Sequence, residues 1–296
     1  MKEKPFSKYQ ILANAVMIIW TLAIILPFIL LFMSSITDEN TLVANGYSFF
    51  PKKFSLASYS YIIKSGGQIL KAYGVSIGVT VVGTLLNVLL SALMAYPLSV
   101  KNLPGRNVMM FFVFFTMLFN GGIVPSYIMW TGTFHIKDTI FAQLLPNFLL
   151  SAWNVMMIRT YFTTSIPDGL YEAAEIDGAS QFTIFWKIVL PLGKPILVTM
   201  GTFAGLAYWN DWTNGLYYIV KNTGLYNVQN LLNQMVQNIQ LLTQSSNSNV
   251  TAAASTIPAT GIQMAIAFVA ILPIMLIFPS FQKYYAKGIA LGAVKG

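Results

Sequence analysis

Six long apolar runs constrain the fold of this chain more than any other feature of its sequence. They cover approximately residues 11–33, 75–100, 108–131, 140–158, 195–219 and 262–281. A helix needs about 20 apolar residues to cross a bilayer core of ~30 Å, and in lipid it satisfies its own backbone hydrogen bonds. The runs therefore predict an all-α polytopic membrane protein, with six transmembrane helices in a single transmembrane domain over residues 1–296.

The basic residues predict how the chain is oriented. The first run is longer than a signal-peptide core and no small-residue cleavage site follows it, so we expect it to remain as a signal anchor. Lys and Arg are retained on the cytoplasmic side, and an internal N-terminus places eleven of the 17 there. We therefore expect a multi-pass membrane protein with both termini in the cytoplasm. Topology then explains most of the net charge of +8, and no basic cluster with interleaved aromatic residues supports nucleic-acid binding.

The segment YEAAEIDGASQFTIFWKIVLP is unusually acidic for a chain in which 9% of residues are charged. It lies in a predicted cytoplasmic loop over residues 160–194. Pro167 and Asp168 suit the first turn of a helix, and Gly178 can adopt the left-handed conformation that ends one. We expect this first helix to stop near Asp177.

A second helix should follow, because Ser180 is a favourable N-cap residue and an apolar stripe then recurs at helical spacing. The stripe consists of Phe182, Phe185, Trp186 and Val189. Pro191 is expected to end this helix. The loop thus predicts a helix, a glycine bend and an amphipathic helix that lies along the membrane boundary.

Two glutamates of the first helix share one face. Glu172 and Glu175 are three residues apart, beside the small Ala173 and Ala174, which would let another surface approach closely. These features describe a docking surface. Periodicity by itself favours a simpler alternative, a solvated interfacial helix with ordinary surface glutamates.

A longer pattern separates the two interpretations. The pattern is Glu172-Ala173-Ala174, three residues, Gly178, nine residues, Ile188, one residue and Leu190-Pro191. It resembles, without a gap, the EAA signature of the inner-membrane permeases of binding-protein-dependent ABC importers. The segments FNGGIVPSYIM, YWNDW and KGIALGAVKG are similar to carbohydrate permeases of the maltose-permease type, specifically the second of their two permease subunits. The closest likeness is to permeases that take up oligosaccharides released from complex polysaccharides.

This resemblance implies a transport subunit of the bacterial cell (inner) membrane, and not an enzyme. In that family the EAA helix seats in a cleft of the cytoplasmic ATPase. The implied ATPase-coupling residues are Glu172, Ala173, Ala174, Glu175, Asp177 and Gly178. The implied partners are a homologous second permease, two ATP-binding cassette subunits that bind ATP and Mg, an extracellular solute-binding protein, the oligosaccharide and membrane lipid.

The chain's own residues predict no catalytic site, metal site or cofactor. No G-x-x-x-x-G-K-[ST] sequence occurs, and the chain has one histidine and no cysteine to act as ligand or nucleophile. His135 is expected to be a plain loop residue. The alternative function is an ion-coupled secondary transporter or channel, which would place ionisable groups near mid-membrane. Asp211 is the only candidate for such a group.

Polar residues interrupt the fifth and third runs. Trp209, Asn210, Asp211 and Trp212 lie where polar groups are costly unless they face protein or water. We predict that they line the substrate pathway, with rings stacking on sugars and polar groups bonding hydroxyls. An interfacial aromatic belt around a structural polar cluster is an equal alternative. In the third run, FNGGIVPSY predicts a kink, and Asn120 is a further pathway candidate.

A polar segment over residues 220–260 is predicted to be an external loop. Its part NVQNLLNQMVQNIQLL has the apolar periodicity of a helix that rests on the membrane. The resemblance to maltose-type permeases implies that this loop touches the substrate-binding protein.

Overall fold

The structure, a computed structural model, describes residues 8–64, 66–244 and 259–293. Within these ranges the chain is predominantly helical, and its β-type pairing is limited to an isolated bridge between Thr37 and Phe54. The all-α prediction is therefore confirmed. The last three residues of the terminal segment KGIALGAVKG, and much of the predicted external loop, lie outside the described residues.

The α-helices are numbered in chain order. The first eight are α1 (Lys8–Ser35), α2 (Glu39–Asn45), α3 (Ala57–Lys64), α4 (Gly66–Ser99), α5 (Arg106–Leu118), α6 (Ile123–Ile128), α7 (Phe141–Leu144) and α8 (Ala152–Ser165). The others are α9 (Asp168–Ile176), α10 (Gln181–Ile184), α11 (Leu190–Leu192), α12 (Lys194–Asn210), α13 (Thr213–Tyr218), α14 (Val228–Gln244) and α15 (Ala259–Ala293). Two π-helical turns, Met129–Thr133 and Phe185–Val189, and a 3₁₀ turn, Thr223–Leu225, complete the helical elements of the described chain.

Three helices in the described ranges are long and apolar enough to cross a membrane. Their apolar spans are Tyr9–Ser35, Gly66–Ser99 and Thr260–Ile277. Two bent pairs also qualify when each pair is taken as one span, which raises the number to five. The first, second and sixth predicted spans therefore overlap continuous helices, and the third overlaps a bent pair. The other bent pair, Gln181–Leu192 with Lys194–Asn210, overlaps the first part of the fifth predicted span and also the predicted cytoplasmic loop.

The fourth predicted span, over residues 140–158, is not one helix. Helix α7 ends at Leu144 and α8 begins only at Ala152. Pro146 has no backbone N–H to donate, and Asn147 has a φ of 67°, which a helix cannot accommodate. The apolarity of the run gave no warning of this break, because hydrophobicity reports the surroundings of a segment and not its backbone path.

The third span has the predicted kink. The axes of α5 and the Ile123–Thr133 helical segment differ by 110°. Between them Gly122 has a φ of 85°, and the Asn120 side-chain oxygen accepts a hydrogen bond from the Gly122 N–H at 2.8 Å. The glycine and the asparagine together form the turn that redirects the chain.

The chain divides into two compact units. The first contains the described residues of 1–69 and 232–273, and the second those of 70–231 and 274–293. Helices α4, α14 and α15 each contribute residues to both.

In the first unit, an acidic side chain caps a long helix. The Glu39 carboxylate accepts hydrogen bonds from the backbone N–H groups of Thr260 and Gly261, at 2.9 and 2.8 Å. The first N–H groups of a helix have no partner inside it, so Glu39 satisfies two donors at the start of α15. The rings of Phe32 and Phe268 pack beside each other, with centroids 4.9 Å apart.

In the second unit, one apolar core joins the end of α4 to α8, α12 and the loop between α8 and α12. Its buried side chains include Ala95, Tyr96, Val155, Ile158, Phe162, Ile184, Phe185, Val189 and Met200. Association of helices within a membrane depends on close packing, since lipid is as apolar as the side chains. This core therefore holds the predicted cytoplasmic loop against the membrane helices.

Small residues let α4 and α12 approach closely. A Cβ at Gly205 would lie 3.3 Å from the Thr84 hydroxyl, and a Cβ at Gly201 would lie 3.3 Å from a Val88 methyl. The two glycines are four residues apart, the small-xxx-small spacing of membrane helix contacts. On α4, Gly83 leaves space for the ring of Tyr208 on α12. A Cβ at Gly83 would overlap that ring.

Candidate functional site

The predicted cytoplasmic loop forms a short helix with a defined glycine bend. Helix α9 has Asp177 as its C-cap, and Gly178 follows with a φ of 76°. The Ala179 N–H bonds to the Ala174 carbonyl at 2.9 Å, and the Gly178 N–H bonds to the Glu175 carbonyl at 3.0 Å. This pair of bonds is the Schellman arrangement, which needs a left-handed residue at the glycine position. The predicted helix end near Asp177 is confirmed.

One side of α9 rests on the core of the second unit. Ala174 is buried there, and the ring of Tyr171 stacks on that of Tyr96 with centroids 6.4 Å apart. At the start of the helix, Asp168 pairs with Lys101 at 2.5 Å. Both of these charged side chains are more than half exposed, so the pair contributes about 0–1 kcal/mol.

The opposite side of α9 is exposed. Glu172, Ala173 and Asp177 are all solvent-accessible, and the side chain of Ile176 is 86% exposed. Of the six coupling candidates, only Ala174 faces the core.

The two glutamates of α9 differ in their contacts. Glu175 accepts a hydrogen bond from the Gln181 side-chain amide at 2.9 Å. Glu172 makes no hydrogen bond or ion pair with any residue that the structure describes. Its carboxylate is therefore available to a cation outside this chain.

The second helix of the loop begins as predicted and contains a π-helical turn. The Ser180 hydroxyl accepts a hydrogen bond from the Thr183 N–H at 3.2 Å and caps α10. A π-helical turn over Phe185–Val189 follows and shifts the helical register by one residue. Of the four residues of the predicted stripe, Phe185 and Val189 are buried and Phe182 and Trp186 are exposed.

The end of this second helix also differs from the prediction. Helical structure continues through Pro191 to Leu192 in α11. A bend of 79° at Gly193 then leads into α12. A Cβ at Gly193 would lie 2.5 Å from the Phe162 ring, so the bend is packed tightly against α8.

The polar break after α12 is built around Asp211. The Asp211 Oδ1 accepts hydrogen bonds from the Thr213 N–H at 3.0 Å, the Thr213 hydroxyl at 2.7 Å and the Asn214 N–H at 3.3 Å. Only 5% of the residue is exposed. Asp211 therefore satisfies the first donors of α13, while its Oδ2 has no hydrogen-bond partner among the described atoms.

Side-chain amides surround this break. Asn214 donates to the Pro146 carbonyl at 3.1 Å, Asn227 donates to the Asp211 carbonyl at 2.7 Å, and Asn230 donates to the Trp212 carbonyl. Gln143 in turn donates to the Asn230 side-chain oxygen at 3.1 Å. The network ties α13 and the start of α14 to the break between α7 and α8. The sequence interpretation missed Gln143, Asn227 and Asn230 as its members.

The five pathway candidates divide into two groups. Trp209 and Asp211 are buried, whereas Asn120, Asn210 and Trp212 are exposed. The rings of Trp209 and Tyr73 lie with centroids 6.4 Å apart. The structure thus brings the YWNDW residues together at one helix break and places Asn120 in the separate turn before α6.

Asp138 holds a loop that the sequence interpretation did not single out. Its Oδ1 accepts hydrogen bonds from the backbone N–H groups of Val220 and Lys221, each at 2.7 Å, and of Asn222 at 3.2 Å. The Lys221 N–H, followed by those of its neighbours, holds the pKa of the Asp138 carboxyl below its usual value despite an opposing desolvation effect. Nearby His135 has a φ of 51° in the same loop. Across the described ranges, no three His, Asp or Glu side chains group as a metal site would need.

A family model described as "Binding-protein-dependent transport system inner membrane component" matches residues 72–291. The chain belongs to this family. The matched region contains the whole loop between α8 and α12 and the polar break after α12.

Individual relatives cover nearly the whole chain. It is 36% identical to Protein LplC of Bacillus subtilis over 92% of this chain and 90% of the relative. It is also 36% identical to the polygalacturonan/rhamnogalacturonan transport system permease protein YtcP of Bacillus subtilis, over 97% and 98% of the two chains. The arabinooligosaccharides transport system permease protein AraQ of Halalkalibacterium halodurans is 28% identical over 92% of this chain and 91% of its own.

A solved structure agrees with these relatives. It is the crystal structure of a bacterial ABC transporter involved in the import of the acidic polysaccharide alginate. The match has a TM-score of 0.79 and 26% identity, and it covers 96% of this chain and 100% of the solved one. The chain is therefore a membrane-embedded permease subunit of a binding-protein-dependent ABC importer, a subunit class without an ATPase site of its own.

Proposed function

We propose that this permease imports oligosaccharides released from complex polysaccharides and delivered by an extracellular binding protein. The observation that carries the proposal is similarity over nearly the full chain to permeases named for such sugars. The alginate importer adds a structural neighbour whose cargo is also a polysaccharide. Two of these named cargoes, polygalacturonan and alginate, are acidic, so uronic-acid oligosaccharides are the first substrates to test.

The proposed topology has six crossings and both termini in the cytoplasm. Five crossings have support from the apolar helices and bent pairs. Helix α8 has 14 residues, so at 1.5 Å per residue it is about 21 Å long, too short for a hydrocarbon core of ~30 Å. We assign the remaining crossing, which is the fourth in chain order, to α7 and α8 together, joined through the break at Pro146.

The proposed coupling site is the exposed side of α9, which seats in a cleft of a cytoplasmic ATPase. Glu172 supports this role because it is exposed and has no partner among the described residues. A partly desolvated pair with a cation of the ATPase contributes more than an exposed pair and fixes orientation. Ala173 leaves space beside Glu172 for close approach, and Gly178 fixes the angle at which the helix is presented.

The importer would contain a homologous second permease and two ATPase subunits that bind ATP and Mg. ATP binding brings the ATPases together, and the two coupling helices follow them. The permease pair then changes from inward- to outward-facing, and the docked binding protein releases its sugar. We assign docking of the binding protein to the external loop 220–260, of which residues 245–258 lie outside the described part.

Reconstitution tests this function. The permease pair, the ATPases and the binding protein would be placed in liposomes and supplied with galacturonate, alginate or arabinose oligosaccharides. We expect uptake that requires ATP and the binding protein. Glu172→Ala should reduce ATPase co-purification and uptake by about tenfold or more, the effect of leaving a buried charge unpaired. Asp168→Ala, on the same helix but paired with Lys101, should change neither.

One observation favours the ion-coupled alternative, the unpartnered Oδ2 of buried Asp211. The other oxygen of that carboxylate caps α13, a structural role that does not require proton or sodium exchange. Sugar uptake driven by an ion gradient in liposomes that lack the ATPases would support the alternative and overturn the importer proposal.

A further inference from the structure

A chain of two side-chain hydrogen bonds connects α4 to α9. The Tyr96 hydroxyl donates to the Gln181 Oε1 at 2.6 Å, and the Gln181 Nε2 donates to the Glu175 Oε1 at 2.9 Å. Tyr96 lies in the last turn of α4, Gln181 at the start of α10 and Glu175 near the end of α9. Three helices of the second unit thus meet through one amide.

The chemistry of the three groups fixes the direction of both bonds. A carboxylate can only accept hydrogen bonds, so the Gln181 NH₂ must face Glu175. The Gln181 oxygen must then face Tyr96, whose hydroxyl is protonated at neutral pH and donates. Among the neutral side chains, only Gln and Asn carry a donor and an acceptor on one rigid amide. Leucine, of similar size, could make neither bond.

The tyrosine end of this connection is firmly held. Tyr96 is 8% exposed, and its ring packs against Tyr171 and Phe185 with centroid distances of 6.4 and 5.5 Å. Farther along the same helix, Asn87 donates to the Phe148 carbonyl at 2.6 Å, and Gly83 lies against Tyr208. Helix α4 thus connects Tyr96 to contacts with the break between α7 and α8 and with the last turn of α12.

The covalent route from α9 into the membrane helices is less direct. It runs through the Gly178 bend, α10, the π-helical turn and the 79° bend at Gly193. This route therefore passes through several changes of backbone direction before it reaches α12. The side-chain route by way of Gln181 bypasses both the π-helical turn and the Gly193 bend.

We propose that Gln181 is a positioning residue that transmits the motion of α9 to α4, with Glu175 and Tyr96 as its two contacts. Glu175 then forms a contact within this chain, and Glu172 is the glutamate that binds the ATPase. This inference rests on the proposed coupling role of α9, and it assigns different tasks to two glutamates that share one face of that helix.

Hydroxyl and amide deletions test the connection in the assembled importer. Tyr96→Phe keeps the ring and removes the donor, and Gln181→Leu removes both bonds. We expect the ATPases to co-purify and hydrolyse ATP as in wild type, while sugar moved per ATP falls about fivefold, the effect of one lost neutral hydrogen bond on an equilibrium. Glu175→Gln keeps an acceptor for the Gln181 amide and should retain most of the coupling.

Tyr161→Phe is the matched control. Tyr161 packs against the same core, and its hydroxyl makes no hydrogen bond with the described residues. The Tyr161→Phe importer should therefore move as much sugar per ATP as wild type. Wild-type sugar-to-ATP ratios in both Tyr96→Phe and Gln181→Leu would overturn the proposal. So would a loss of assembled complex or thermal stability that matched the loss of uptake, because the connection would then be structural only.

A distance measurement supplies a second readout. The chain has no cysteine, so spin labels can be placed at Asn102→Cys, just after α4, and Ile176→Cys, on the exposed side of α9. With the connection intact, the distribution of distances between the two labels should stay narrow when ATP binds. In the Tyr96→Phe background this distribution should broaden. An equally narrow distribution in both backgrounds overturns the proposal. Absence of ATP-dependent uptake in the wild-type importer would instead refute the proposed function.

Discussion

Substitution of the glycine after α9 is the sharpest test of how the predicted cytoplasmic loop is held. Gly178 has a φ of 76°, a conformation that costs a residue with a Cβ roughly 1–2 kcal/mol. A Cβ at this position would meet nothing within 4 Å, so the penalty of Gly178→Ala comes from the backbone alone. The bent form should therefore lose about 5- to 30-fold in population relative to frayed forms.

Hydrogen exchange at two backbone amides measures this loss of the bent form directly. The hydrogen bonds of the Gly178 and Ala179 N–H groups exist only while the bend is closed. In Gly178→Ala, hydrogen exchange at residues 178 and 179 should accelerate by about the same 5- to 30-fold factor. ATP-driven uptake should fall in parallel, because α9 is no longer presented at one angle. Gly178→Asn should show a smaller effect, since Asn tolerates the left-handed conformation.

Gly169→Ala provides the matched control. Gly169 also has open space within 4 Å of its Cβ position, but it is the second residue of α9 and does not have a positive φ. This variant should retain wild-type exchange at residues 178 and 179 and wild-type uptake. Identical exchange and uptake in wild type, Gly178→Ala and Gly169→Ala would refute the requirement for a left-handed residue at the bend.

Three further predictions concern the second unit. Gly83→Ala should lower the yield of assembled complex by forcing the Tyr208 ring aside, a cost of about 1–3 kcal/mol, whereas Gly78→Ala, which meets nothing within 4 Å, should not. The lowered pKa of Asp138 means that its hold on the 220–222 backbone is complete above the unfolded pKa of about 3.9 and is lost as pH falls through the folded value. Protection of those amides from exchange, relative to their intrinsic rates at each pH, should therefore persist at neutral pH and be lost only in strong acid, and Asp138→Ala should remove it at neutral pH. Asn210→Ala should reduce sugar-stimulated ATP hydrolysis per assembled complex if it lines the pathway, while Asp211→Ala should reduce the yield of complex.

Local signals predicted the helix ends of the predicted cytoplasmic loop best. The positive φ of Gly178 and the Ser180 cap depend on residues within a few positions, and the sequence contains those residues. A π-helical turn changed the register inside the second helix, and of the predicted stripe Phe185 and Val189 are buried while Phe182 and Trp186 are exposed. Periodicity assumes a constant turn angle, so it cannot detect such a change.

Contacts between residues far apart in the chain could not be predicted from the sequence. Asp138 meets backbone groups more than 80 residues away, and Asn87 meets a carbonyl 61 residues away. The Tyr96 bond to Gln181 spans 85 residues. Each group is polar in an apolar chain, which indicated that a partner was needed, but only the fold determines which one.

Asn210 and Asp211 show why the polar break could not be interpreted from the sequence alone. They are adjacent and similar in size, and both are costly in lipid. Helix α12 ends between them, so Asn210 stays on the exposed surface while Asp211 turns inward and caps α13. Removal of the Asp211 carboxylate leaves the first donors of α13 unsatisfied, at about 1–3 kcal/mol each, whether or not sugar passes nearby. If sugar is contacted at this break, we therefore expect the exposed Asn210 and Trp212 to make the contact, and we expect substitution of Asp211 to act on transport by weakening α13.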